Sequence, residues 1–268
     1  MQRATVEIIN RDMGQMNLYR NLAKTNRVSG LLGAVIAWSV IAPWAFAQVD
    51  QTVQFLPTPP DRGSPDGRQR GGATRGDCLD YQALTALVPE VDGVVWSQTT
   101  SALPTFFFQV PADLTEAIPL DFVIQDSNDV YAVRQQFSVE AKAGLLTVPT
   151  TAELGGLAMG ESYSWTFSIY CDEARPSASV SVTGTVQRVA DDVVMADTST
   201  PEISPVEQFE QLQQYAAEGI WHEAIELAIA LHSAEPENAT YANALSTLIE
   251  QAGITNALPM EAAPTEVE

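Results

Sequence analysis

Tyr163-Ser164-Trp165-Thr166-Phe167-Ser168-Ile169-Tyr170-Cys171, followed by Ala178-Ser179-Val180-Ser181-Val182-Thr183-Gly184-Thr185-Val186-Gln187, decides the fold class of this 268-residue chain. Apolar side chains take every second position, with Ser, Thr, Tyr or Gln between them. A two-residue period sends one row toward a core and the other toward water, which is the pattern of a half-buried strand. The turn signals near Asp172 to Pro176 predict that the two strands pair antiparallel.

Upstream, Val94 to Gln98, Phe106 to Val110, Leu120 to Gln125, Tyr131 to Val139 and Leu145 to Val148 are further strand candidates, separated by Pro, Gly, Asn and Asp. About seven short strands in residues 77–190 predict an antiparallel β-sandwich of immunoglobulin or fibronectin type, with a closed barrel as the alternative. The Cys-Trp-Cys spacing of true immunoglobulin domains is absent. Ala83 to Pro89 reads equally as a short helix or an edge strand.

Downstream the period changes. Val206, Phe209, Leu212 and Ala216, then Ile220, Ala224, Ile225, Ala228 and Leu231, then Tyr241, Leu245, Leu248 and Ala252 recur at helical spacing. Three amphipathic helices in residues 206–255, broken at Gly219 and Pro236, follow a linker at 191–205 and precede a disordered tail at 256–268. The fold class is therefore α+β.

Residues 1–47 have the plan of a secretory signal peptide: Arg20, Lys24 and Arg27, an apolar run from Val28 to Ala42, then Pro43 and Ala45-Phe46-Ala47. Cleavage is expected before Gln48, and an uncleaved membrane anchor is the alternative. Residues 48–76 read as a Pro/Gly/Arg-rich linker, extended or mobile, because Pro and Gly at that density do not support a packed core. Arg62, Arg68, Arg70 and Arg75 lie in it, either as solubilising charges or as a cationic strap for an anionic surface. The whole chain carries 13 basic and 34 acidic side chains, a net charge of −21, which excludes a general nucleic-acid binder because phosphates require cations. In an exported chain the two cysteines, Cys78 and Cys171, are most simply read as one disulfide, with two unpaired thiols as the alternative.

The search for chemistry yields little. Gly160-Glu161-Ser162-Tyr163-Ser164 lacks the final Gly of a nucleophile elbow and opens a strand instead of a helix. His222 and Glu226 stand one helical turn apart but lack a third ligand, so no metal site is expected. Asp126-Ser127-Asn128-Asp129 carries calcium-friendly oxygens yet reads first as a hairpin turn. Paired carboxylates of the glycosidase kind cannot be singled out in so acidic a chain, and no glycine-rich phosphate loop precedes a helix. No catalytic residue and no cofactor is assigned. Phe106, Phe107 and Phe108 alternate between two faces of one strand, which either exposes Phe107 to a ligand or buries it under a covering helix.

Two resemblances add to this. Tyr215-Ala-Ala-Glu-Gly219-Ile-Trp221-His-Glu-Ala224-Ile225, with Ala228 and Pro236-Glu237-Asn238, resembles a tetratricopeptide repeat. One repeat cannot bury a solenoid core, so it docks on its own sandwich or offers Trp221 and Gly219 to a partner. Pro59-Pro60-Asp61-Arg62-Gly63, Gly71-Gly72-Ala73-Thr74-Arg75-Gly76-Asp77-Cys78, Leu87-Val88-Pro89, Pro104-Thr105-Phe106-Phe107-Phe108, Tyr163-Ser164-Trp165 with Cys171, and Gly219-Ile220-Trp221 together resemble a family of cyanobacterial exported proteins known as domain of unknown function 928. That resemblance implies a bacterial host and supports the disulfide, and it brings no reaction or ligand. The expectation is a non-catalytic protein-interaction or scaffold module of the cell envelope. Its candidate surface is Trp221, Gly219, Phe107, Arg68 and Arg70, and its partner is an envelope protein. The alternative is a carbohydrate- or cell-wall-binding module for an anionic polymer, and a less favoured third is an envelope hydrolase. Membrane contact is expected only through the signal segment.

Overall fold

The computed structural model describes residues 52–60, 66–71, 78–172, 177–191, 203–254 and 265–266. The signal segment 1–47 lies outside the described residues. No helix among those described is long and apolar enough to cross a membrane.

Among the described residues ten strands form two sheets. They are β1 (Thr85–Ala86), β2 (Glu90–Val91), β3 (Val94–Thr99), β4 (Thr105–Val110), β5 (Leu120–Gln125), β6 (Tyr131–Phe137), β7 (Gly144–Pro149), β8 (Ser162–Tyr170), β9 (Ser179–Arg188) and β10 (Thr265–Glu266). One sheet has the order β1-β4-β7-β10 and the other β2-β3-β9-β8-β5-β6. Ala83 to Pro89 thus supplies an edge strand and no helix. In the expected tail 256–268, only Thr265–Glu266 is described, and it lies alongside β7.

The two-residue period does what it predicts. Trp165, Phe167 and Ile169 point inward from β8 and Val180, Val182 and Val186 from β9, in antiparallel register from Ser162↔Gln187 to Tyr170↔Ser179. Phe106 and Phe108 of the four-stranded sheet meet them: the Phe108 and Phe167 rings stack with centroids 4.1 Å apart. Gly184 sits opposite Trp165, where an added Cβ would stand 2.6 Å from the indole, so only glycine lets the ring lie flat there. The wholly antiparallel expectation needs correction. β3 runs parallel to β9, Trp96↔Thr185 through Thr99↔Arg188, as β10 does to β7. Strands so far apart in sequence are not joined by a hairpin, so nothing forces opposite directions.

The linker reading of 48–76 is corrected for its described residues, 52–60 and 66–71; Arg62 and Arg75 lie outside them. Thr52 to Leu56 alternates, with Val53 and Phe55 buried, and Phe55 meets Trp221 edge-on at 5.0 Å. Further on, Arg68 bridges to Thr183 of β9 and Arg70 to Thr85 of β1, so this segment ties one sheet to the other. Pro and Gly prevent a long ladder but not a single rung, and two well-placed apolar side chains suffice to anchor the strap.

Three helices follow: α1 (Pro205–Glu218), α2 (Trp221–Ala234) and α3 (Ala239–Gln251). Ser204 and Glu207 close a capping box on α1, and Gly219 ends that helix at φ 77°. Their apolar faces form a second core with Val53, Phe55, Leu87, Phe107 and Leu145, distinct from the core between the sheets. Phe107 is therefore buried beneath the helical layer.

Candidate functional site

Polar chemistry gathers where the first turn of α2 meets the ends of β3 and β4. Three consecutive side chains each reach a different piece of sheet. Trp221 is fully enclosed and donates Nε1–H to the Leu87 carbonyl at 2.8 Å. His222 is 2 % exposed, with Nε2 2.9 Å from Ser97 Oγ and Nδ1 3.0 Å from the Thr105 carbonyl. Glu223 Oε1 accepts from Thr99 Oγ1 (2.7 Å), Thr100 N (2.9 Å), Thr100 Oγ1 (3.0 Å) and Ser101 N (3.0 Å).

The tautomer follows from the partners. A carbonyl only accepts, so Nδ1 carries the proton and Nε2 accepts from the Ser97 hydroxyl. Burial holds the imidazole below its ordinary range, against the opposing pull of the Glu223 carboxylate and the bond to Thr105. The Phe106 ring lies edge-on with centroids 4.5 Å apart. Tyr215 of α1 is pushed up to about 12 by burial and by the Asp191 and Glu223 carboxylates, so it stays neutral. A Ser–His contact in an open cleft would suggest a nucleophile, but here both groups are enclosed between packed layers. Glu226 accepts from Thr105 Oγ1 at 3.2 Å and does not share a ligand position with His222. Among the described residues no three His, Cys, Asp or Glu cluster as a metal site.

A groove of about 430 Å³ is lined by Asp66, Gly67, Arg68, Gln69, Arg70, Glu90, Gly93, Val95 and Gly253. The side chains at 68 and 70 project outward on either side of the buried Gln69, whose Nε2 donates to the Val88 carbonyl. The other cations among the described residues lie away from this groove. Lys142 pairs with Asp113 at 2.7 Å, Arg188 donates to the Thr100 and Leu157 carbonyls, and Arg134 lies over the Tyr131 ring. Arg68 and Arg70 thus share this groove with the acidic Asp66 and Glu90.

The five candidate surface residues thus divide. Arg68 and Arg70 are exposed and together; Trp221 and Phe107 are interior, and Gly219 abuts the strap, where a Cβ would stand 2.6 Å from the Leu56 carbonyl. The reading of Trp221, Gly219 and Phe107 as open surface is corrected for that reason: the chain's own layers cover them. Gly219→Ala should lower stability by about 2 kcal/mol, because both the left-handed backbone and the close approach oppose a side chain. Urea unfolding with an unchanged m-value checks it, and a change below about 0.5 kcal/mol would mean that the strap does not press on the turn.

Ser97, Thr99 and Glu223 were not singled out by sequence, since hydroxyls on a strand and a glutamate on a helix carry no motif. Asp126 forms the expected turn, accepting from Asn128 N at 2.8 Å and Val130 N at 2.9 Å, and these bonds hold its carboxyl below the usual range. Cys78 and Cys171 form the disulfide, with Cα atoms 5.5 Å apart, joining the approach to β1 to the end of β8.

No curated protein and no solved structure matches the chain. The family described as Domain of Unknown Function (DUF928) matches residues 70–261, a span that takes in β1 to β9, the disulfide and all three helices. With more than two thirds of its length matched, the chain belongs to the DUF928 family.

Proposed function

We propose that this chain is an exported, non-catalytic interaction protein of a cyanobacterial cell envelope, periplasmic or envelope-associated, that works by contact with an envelope protein. The observation that carries the reading is how the polar groups are used. Among the described residues, the serine, histidine and glutamate brought together at α2 are committed to holding helices on sheets, and none faces an open cleft. The signal-like first 47 residues and the disulfide support export. The partition of β1, β4 and β7 into one sheet and β5, β8 and β9 into the other supports an immunoglobulin-like sandwich, and the Gly219 turn between α1 and α2 supports the tetratricopeptide-like reading.

The second reading, an anionic wall-polymer binder, is favoured by the groove that holds Arg68 and Arg70. One experiment separates the two. The tagged full chain is crosslinked in its native envelope, and purified anionic wall polymer is titrated into wild type and the Arg68→Glu, Arg70→Glu variant. Under the leading reading a stoichiometric protein partner is recovered and polymer binding is weak and unchanged by the variant. Salt-sensitive polymer binding that falls at least about tenfold in the variant, roughly 1.4 kcal/mol, would replace it with the second reading.

A further inference from the structure

We propose that the first turn of α2 is an acid-sensitive latch: proton uptake at the node of Ser97, His222 and Thr105 frees the helical layer from the sheets and bares the outer face of the four-stranded sheet, while the two sheets stay together. This does not depend on which partner the protein contacts.

The enclosure favours a neutral ring, since His222 is 2 % exposed between packed layers. In that form Nδ1–H donates to the Thr105 carbonyl and Nε2 accepts from Ser97 Oγ. A second proton would turn the Ser97 hydroxyl from donor to acceptor, so the bond survives, but it would leave a cation enclosed beside the Phe106 ring edge, away from water. His222 also lies in the first turn of α2, where the helix dipole opposes positive charge. Of the charged groups near the node, the Glu223 carboxylate favours the cation, but burial outweighs it. Glu223 on the same turn already accepts four bonds from residues 99 to 101, and Glu226 one turn on is bonded to Thr105. From β9 the Arg188 guanidinium reaches Thr100 and adds like charge, and Tyr215 of α1 is neutral. The β3 and β4 residues that bond or touch His222 and Glu223, namely Ser97, Thr99, Thr105 and Phe106, are not titratable.

Release can stop at the helices because the protein has two cores. The helical core reaches the sheets through Leu87, Phe107 and Leu145, whereas the sheets are joined by their own aromatic core and tied by Cys78–Cys171. The sign is that of a group held below its free value. The unfolded or released form binds the proton more tightly, so docking is fully favourable above the free imidazole range, near pH 6.5, and is lost as pH falls below it.

Hydrogen exchange on the full oxidised chain at pH 7.5 and 5.0 tests this, read as protection factors. The expected result is a loss of at least tenfold in protection across residues 205–251, none across 162–188, and a slope near tenfold per pH unit, as one proton requires. In His222→Asn, whose amide can still donate to Thr105 but takes no proton, the helices should hold equal protection at both values. Joint loss in helices and sheets, no loss in either, or the same loss in His222→Asn would overturn the proposal. If His222→Asn does not fold, the wild-type imidazole resonances decide. A neutral ring in the docked form and a charged one only in the released form is expected, and a charged ring in the docked form overturns the latch.

Discussion

Trp221→Ala should cost the protein about 4 kcal/mol of unfolding free energy, the middle of the range for deleting a buried aromatic. The side chain is fully enclosed, meets Phe55 edge-on at 5.0 Å, and shares the helical core with Leu87, Phe107 and Leu145. Truncation leaves a cavity at the meeting of strap, helix and sheet, and it strips the Leu87 carbonyl of its donor. Trp221→Phe separates these contributions. It restores most of the packing but not the N–H, and should retain a deficit of about 1–2 kcal/mol from the unpaired carbonyl. Urea denaturation of wild type and both variants gives the comparison. A residue on a partner-binding surface would shift stability by no more than about 0.5 kcal/mol, so a small effect would return Trp221 to the surface.

Removing the disulfide should have an effect of similar size. Cys78 and Cys171 are 93 residues apart, and the chain-entropy account assigns a loop of that length about 4–5 kcal/mol. Cys78→Ser with Cys171→Ser should therefore lower the urea midpoint sharply, and reductant should lower wild type to the same value while leaving the double variant unmoved. The native sheets change little, since most of the effect lies in the freedom regained by the unfolded chain. Two titratable thiols per unreduced, denatured wild-type chain would show that the bridge does not form.

Much of the architecture is legible residue by residue. The alternation from Tyr163 to Cys171 and from Ala178 to Gln187 becomes β8 and β9 in the expected antiparallel pair, and Leu120 to Gln125 is β5 to the residue. Helices start and stop at chemical punctuation: Ser204 with Glu207 opens α1, Gly219 closes it, and Asn238 opens α3. The strap is hidden in the sequence because average composition outweighs two residues. Val53 and Phe55 sit among prolines and glycines, and their value lies in what Phe55 touches, a tryptophan 166 positions away in the chain.

The α2 site was legible only in part. Trp221 and Gly219 stand out in the sequence, but as candidates for a surface, and His222 suggested a metal pairing with Glu226. Its real partners, Ser97 and Thr105, lie 125 and 117 residues upstream. Hydroxyls in an alternating strand look identical whether they face water or a docked histidine.

The sequence by itself determined where the longer strands and the three helices lie and which cysteines could pair, because each depends on neighbours within a few residues or on simple counting. Only the tertiary structure decided that β3 lies parallel to β9, that the arginine segment bridges the sheets, and that the helices cover Phe107. Local periodicity states which faces are apolar; which element covers an apolar face depends on long-range packing between segments a hundred or more residues apart.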